Sequence, residues 1–263
     1  EYSLYFLILG SIVTVCGIIG IFSVKESRTN VKTTAGFVET LVYGFKPSVI
    51  KENSTLYLIL LAMCLFNCAF QVFFPYLIVY LQYVILESPA NKELLSTSLP
   101  MIIVIAVIAV AVLVAGIVIL MKLAAKKKLL GIIPAVASLI IGLIILSTSS
   151  GLFTLLVGIA PTFIGYLVLT IQFGATIRDF TPPEKAGLFQ GIRMIFFVLI
   201  PMVVGPAIGD IACRSAGASY INEYGIETLV PDAKMFLYSA VVAVLVFIPL
   251  FILKKKGIDK TEV

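Results

Sequence analysis

The chain has no histidine and no tryptophan, and only 13% of its 263 residues are charged. Without histidine it lacks the side chain that most often serves as a general base at neutral pH or as a ligand to zinc, which removes most metal and nucleophile chemistry. Four cysteines remain, Cys16, Cys64 and Cys68 within apolar runs and Cys213 near the end of another. They outline no disulfide framework. Cys64 and Cys68 share a helix face, but with no histidine or acidic neighbour they read as small core residues, not as metal ligands. No acid stands near the middle of an apolar run, for Glu87, Glu93 and Asp210 lie near run ends. That absence argues against intramembrane hydrolysis, which needs an acid pair or a metal at depth.

What the chain has instead is apolar length. It is 60% hydrophobic, with mean hydropathy +1.13, too apolar for a soluble domain of this size. Uncharged runs cover residues 2–24, 53–86, 94–121, 129–177, around 194–209 and 235–253. Crossing a bilayer takes about 20 apolar residues in a helix, so 129–177 holds two spans and the total is seven. The expected fold is all-α, a polytopic membrane helix bundle.

Charge placement orients it. Lys25, Arg28, Lys32, Lys46 and Lys51 follow the first span, and Lys122, Lys126, Lys127 and Lys128 the third. Arg178, Lys185 and Arg193 follow the fifth, and Lys254, Lys255, Lys256 and Lys260 the last. The intervening gaps hold only Lys92, Arg214 and Lys234. By the positive-inside rule the rich gaps are cytoplasmic, which puts the N-terminus outside and the C-terminus inside. The net charge of +5 is then an orientation signal facing anionic lipid, and it calls for no nucleic-acid partner.

Residues 1–24 therefore read as one transmembrane helix, 25–54 as a cytoplasmic linker, 55–253 as a six-helix bundle and 254–263 as a basic cytoplasmic tail. The chain begins at Glu1, and no basic region precedes its first apolar run as a secretory signal would require. An odd number of spans with an external start suggests a chain truncated on its N-terminal side. In the linker, Phe37, Leu41 and Phe45 recur every four residues with Val38 and Val42 beside them. This predicts an amphipathic helix at the inner interface, ended by Pro47, with Lys51–Ser54 starting the second span.

The second span carries Asn67 and Gln71 one turn apart near its middle, then Phe73, Phe74, Pro75, Tyr76, Tyr80, Gln82 and Tyr83. Pro75 has no backbone N–H and clashes with the carbonyl of Gln71, which predicts a kink or an unwound turn. Two readings of the amides stand side by side. Polar amides beside a broken helix build membrane binding sites, and they also bond neighbouring helices as structural glue. Phe74, Tyr80 and Tyr166 join Asn67 and Gln71 as candidate substrate contacts, with Thr162 as a further midplane polar group.

The third span is nearly pure aliphatic, with alanines and Gly116 suited to close helix packing. Gly151, Gly158 and Gly165 recur every seven residues along the fifth span and favour close backbone approach. After that span comes Arg178-Asp179-Phe180-Thr181-Pro182-Pro183-Glu184. Thr181 followed three residues later by Glu184 predicts a capping box, with Pro182 at the first position of the sixth helix. Arg193, about three turns on, must snorkel or pair with an acid, Asp179 or Glu184. Glycines at 187/191 and 205/209 suit close packing at both ends of this span, and Pro201 and Pro206 mark bends.

Multiple spans with short loops, a basic amphipathic linker and helices broken by glycine and proline resemble the C-terminal part of a major facilitator superfamily transporter. The segment D-F-T-P-P-E-K-A-G-L-F-Q-G-I-R, Asp179 to Arg193, is similar to the stretch between helices ten and eleven of the glycoside–pentoside–hexuronide:cation symporter group, through Asp179, Gly187, Gly191 and Arg193. The resemblance implies that the first span is helix six and that 57–253 are helices seven to twelve. It places a Gly-x-x-x-Asp-Arg-type motif near Gly116 and Lys122–Lys128, where Ala124 or Ala125 stands in place of the aspartate. Inner-surface anchoring is the better reading there.

The expectation is a fragment of a secondary transporter, in a bacterial plasma membrane, moving a small polar solute of sugar or glycoside type by alternating access. It would be cation-coupled, with Na+ or H+ bound by the missing N-terminal half. It would have no cofactor and no enzymatic activity, and Pro75, Asp179, Gly187, Gly191 and Arg193 would serve gating or packing. The rival is a seven-span receptor or sensor, which shares the topology. Against it stand the long first cytoplasmic segment, the lack of tryptophan and the lack of a lysine in the last span for retinal.

Overall fold

In the computed structural model, the described residues are 2–23, 43–89, 91–93, 99–149, 151–214, 219–221 and 225–258. Seven helices are long and apolar enough to cross a membrane: Leu4–Ser23, Ser54–Leu86, Ile103–Ala125, Lys128–Ser147, Leu152–Phe180, Ala186–Arg214 and Lys234–Lys255. The fold is an all-α polytopic bundle with one small hairpin. It divides into two compact units, Glu1–Gly36 and Phe37–Val263.

The described residues of the first unit form one helix, Tyr2–Ser23, with apolar side chains exposed along it. Its two mid-helix hydroxyls are satisfied internally, since Ser11 donates to the Leu7 carbonyl at 2.7 Å and Thr14 to that of Gly10 at 2.8 Å. Such back-bonding lets a hydroxyl sit in a span without a partner from another helix. Most of the expected amphipathic linker, including Phe37, Leu41 and Val42, lies outside the described residues. At its end a 3₁₀ turn, Tyr43–Phe45, precedes Pro47, which opens a short helix, Pro47–Glu52, at a position where the missing N–H costs nothing.

The second span is the hub of the second unit. Leu56, Ile59, Leu60, Met63, Phe66, Ala69, Val72 and Phe73 are buried along it. The seventh span fastens to it through Ser239, whose hydroxyl donates to the Ala69 carbonyl at 2.6 Å, and through Phe236, whose ring lies 5.3 Å from Phe73 and 5.4 Å from Tyr80. The sixth span meets it at two glycines. A methyl on Gly205 would collide with Gln71, and one on Gly209 with the Val72 carbonyl and the Tyr76 ring. The 205/209 glycine pair of that span therefore packs as its spacing suggests.

The fourth and fifth spans approach as closely. Gly142 faces the backbone and hydroxyl of Thr162, Gly158 faces Leu146, and Gly165 faces the Ala135 carbonyl and Leu139. Lipid tails are as apolar as leucine, so close van der Waals contact and buried hydrogen bonds hold such helices together. Ser138 supplies one bond, donating at 2.8 Å to the Pro161 carbonyl. The third span, Leu99–Lys126, does less packing than expected: Ile103, Val104, Val107, Ile108, Val110 and Val114 are all exposed, while Gly116 rests on Ile164 of the fifth span.

Prolines locate the breaks. Before Pro75 the helix Ser54–Phe73 tightens into a 3₁₀ turn, Phe74–Tyr76, resumes at Leu77–Tyr80 and widens into a π-turn at Leu81–Leu86. The sixth span has a π-turn at Ile195–Leu199, just before Pro201. The seventh divides into Lys234–Val244 and Phe247–Lys255, because Pro249 cannot bond to the Leu245 carbonyl, which accepts from Ile248 instead at 3.1 Å. Between the sixth and seventh spans lies an antiparallel hairpin, Ser219–Ile221 with Glu227–Leu229. Tyr220 on it lies 4.4 Å, ring to ring, from Tyr83 at the end of the second span.

Candidate functional site

The broken middle of the second span brings some of the expected contact residues together and removes others. Asn67 is buried and spends its amide nitrogen on the Met63 carbonyl at 2.8 Å, one turn back in its own helix. Gln71 is partly exposed beside Gly205, and its amide makes no hydrogen bond among the described residues. The two amides sit one turn apart, as their spacing requires, yet only Gln71 keeps all of its donors and its acceptor open among the described residues.

On the same stretch of the second span, an aromatic stack faces the fifth span. The Tyr166 ring stacks on Phe70 at 4.1 Å and Phe70 stacks on Phe74 at 4.7 Å, with Phe66 at 5.7 Å and Phe163 at 6.5 Å from Tyr166. Phe74 is 50% exposed at the open end of the stack. The Tyr166 side chain is half-buried and its hydroxyl makes no hydrogen bond among the described residues. Phe66 and Phe70 were missed by sequence reasoning, although Phe66, Phe70 and Phe74 follow each other at four-residue steps, the interval that puts rings on one helix face.

Two other candidates are committed elsewhere. Tyr80 is fully buried, and its hydroxyl lies 3.0 Å from Ser149 Oγ and 3.2 Å from the Ser149 carbonyl, which ties the second span to the end of the fourth. It is a structural residue in this arrangement. Thr162 is 1% exposed and donates to the Gly158 carbonyl at 2.8 Å, so it is no open midplane ligand. Tyr76, which sequence reasoning passed over, donates to the Pro206 carbonyl at 3.0 Å and bridges the two broken spans.

The expected gating residues divide likewise. Pro75 sits within the 3₁₀ turn that interrupts the second span. Asp179 pairs with Lys128 at 3.0 Å, not with Arg193. Its other oxygen is 3.9 Å from Arg178. Arg193 is half-buried and carries no ion pair among the described residues. The capping box does not form: Thr181 donates backward at 2.6 Å to the Ile177 carbonyl, because the fifth helix runs on to Phe180, and the next segment begins as a 3₁₀ turn at Pro183. Gly187 and Gly191 are exposed with nothing within 4 Å of a methyl placed on either, so this pair has no packing partner among the described residues.

No group of three or more cysteine, aspartate or glutamate side chains that could hold a metal occurs among the described residues. Asp210, the acid deepest in the sixth span, is bonded to Arg214 at 2.8 Å. The candidate residues thus reduce to an amide and a phenol without a hydrogen-bond partner among the described residues, on spans joined by a partly open aromatic stack and beside a helix break.

No curated protein and no solved structure matches the chain. A sequence model described as Major Facilitator Superfamily matches residues 1–206, well over half of its length. That match agrees with seven apolar spans, proline-broken helices and glycine-mediated contacts, and on it the chain belongs to the major facilitator superfamily.

Proposed function

We propose that the chain is part of a secondary transporter that moves a small, neutral, polyhydroxylated solute of sugar or glycoside class by alternating access. Superfamily membership supports transport as the activity. The observation that carries the solute class is the contrast between spent and open polar groups: Asn67 and Tyr80 are bonded within the protein, while the Gln71 amide and the hydroxyl of Tyr166, whose ring stacks on Phe70, have no hydrogen-bond partner among the described residues. An amide and a phenol offer donors and acceptors to hydroxyl groups, and the rings offer flat apolar surface to the other face of a sugar. Few polar groups on a largely apolar wall are what fix orientation in small-molecule sites. The stretches 54–86 and 152–177 that carry these groups contain no lysine or arginine to hold a carboxylate or phosphate.

In this reading the six-helix set rocks against a second bundle, with the solute between them, and the helix breaks at Pro75 and Pro201 absorb the bending. The coupling cation, Na+ or H+, binds to residues of that second bundle, since Asp210 is neutralised by Arg214. The protein is an integral multi-pass membrane protein, and we place it in a bacterial plasma membrane with its basic gaps inside.

Uptake into liposomes containing the full-length protein tests this directly. Labelled sugars or glycosides should accumulate under an imposed Na+ or proton gradient and be competed by unlabelled neutral polyols. Uptake restricted to charged solutes would overturn the solute class. A receptor would show saturable ligand binding with no net movement across the bilayer.

A further inference from the structure

A cavity lies where the fifth span ends and the sixth begins. Its volume is about 290 Å³, and Arg178, Arg193, Gln190 and Thr181 line it together with Ile177 and Phe189. Other contacts place it at the basic end of the unit. Lys128 pairs with Asp179 beside it, the Phe189 ring is 6.3 Å from that of Tyr57, and Lys256 Nζ is 2.7 Å from Ser54 Oγ at the start of the same helix.

The cations in this cavity are differently placed. Arg193 is half-buried with no ion pair among the described residues, and its guanidinium comes within 3.7 Å of a methyl position on Gly174. Arg178 is 82% exposed, Asp179 is 3.9 Å away, and that acid is held more closely by Lys128. A guanidinium loses hydration when it is half-buried against apolar side chains, and an oxyanion restores what it has lost. Its fixed fork of donors matches phosphate geometry better than an ammonium does. Buried Ile177 and Phe189 form a greasy floor beneath the charges. Basic pockets between transmembrane helices on the cytoplasmic side are places where phosphate headgroups bind.

We propose that Arg178 and Arg193, with the Gln190 amide, form a binding site for a phosphate-type oxyanion, distinct from the solute site. Two sources share this chemistry, the headgroup of an anionic phospholipid and free inorganic phosphate. The proposal does not rest on the identity of the solute.

Retention of lipid by the full-length protein, measured by native mass spectrometry, is compared for phosphatidylglycerol and phosphatidylcholine, and inorganic phosphate is titrated against each. Arg193→Gln and Arg178→Gln should each weaken phosphatidylglycerol or phosphate binding by about tenfold or more, the loss of one charge-assisted hydrogen bond. Lys255→Gln, a cation at the same end with its ammonium over the Phe251 ring, should change it by less than about twofold, as screened surface charge does. Phosphatidylglycerol retained and unaffected by phosphate assigns the site to lipid; displacement by phosphate assigns it to the free anion. Unchanged binding of both probes in Arg178→Gln and Arg193→Gln overturns the proposal, and so does an equal loss in Lys255→Gln. If Arg193→Gln does not fold, Arg178→Gln decides alone, because that side chain is mostly in solvent.

Discussion

Lys128 Nζ stands 3.0 Å from Asp179 Oδ2 and 4.8 Å from the centre of the Phe180 ring, so the first residue of the fourth span is pinned to the last turn of the fifth. The lysine takes the acid that sequence spacing offered to Arg193. Both side chains are about a quarter to a third exposed, which limits the gain.

A double-mutant cycle should therefore give Lys128→Gln and Asp179→Asn a coupling of about 0.5–1 kcal/mol, the upper range for partly solvated pairs. The same cycle for Arg193→Gln with Asp179→Asn should give about zero. Unfolding of the purified protein in detergent supplies both numbers, and a larger coupling for the arginine would restore the pairing that the structure rejects.

The glycines separate just as sharply. Gly205→Ala and Gly209→Ala push a methyl into the second span and should each cost about 1–3 kcal/mol, as overpacking does. Gly187→Ala and Gly191→Ala meet open space and should stabilise by about 0.4–1 kcal/mol through reduced freedom of the unfolded chain. Thermal unfolding in detergent compares the four. Loss of stability at 187 or 191 would mean that another surface packs there.

Tyr80→Phe removes the hydroxyl that meets Ser149 and should cost about 1 kcal/mol of stability, the usual net worth of a hydrogen bond. Solute affinity should be unchanged. Tyr166→Phe should do the reverse, sparing stability because the hydroxyl has no partner among the described residues, and weakening solute binding. Binding and unfolding measured on the same preparations test the assignment, and a binding defect in Tyr80→Phe would return that residue to the site.

The spans were legible because hydropathy over about twenty residues survives any packing arrangement, and the breaks because proline acts on its own backbone. Pro249 obeys the same rule, yet the divided seventh span was not drawn from it. Local rules failed where they were degenerate. Thr181 with Glu184 has the spacing of a capping box, but whether a threonine caps forward or bonds backward depends on how far the preceding helix runs, and that is set by Lys128 and Asp179 across a helix pair. Pro47 likewise can follow one helix or open another. In the site, Asn67 and Gln71 look equivalent in sequence; the difference between them is the contact with Gly205, more than 130 residues away. Phe70 was invisible for a similar reason, since an aromatic residue in an apolar run gains meaning only when Tyr166 of another span stacks on it.

The difference between the two amides gives the most direct test of the site. Asn67 is buried with its nitrogen already bonded to the Met63 carbonyl, so Asn67→Leu removes an internal bond and should lower the amount of folded protein in the membrane while leaving the affinity of what remains intact. Gln71 has its Cβ against Gly205 and its amide open. Gln71→Met keeps the length and the packing of the stem and deletes only the polar head. It should leave membrane abundance unchanged and weaken solute binding by about 1–3 kcal/mol, the cost of leaving a buried hydroxyl of the solute without its partner. Abundance and equilibrium binding, measured together on the full-length protein, separate the two roles. Normal affinity in Gln71→Met at normal abundance would remove the amide from the site and leave the aromatic stack without a polar anchor on the second span.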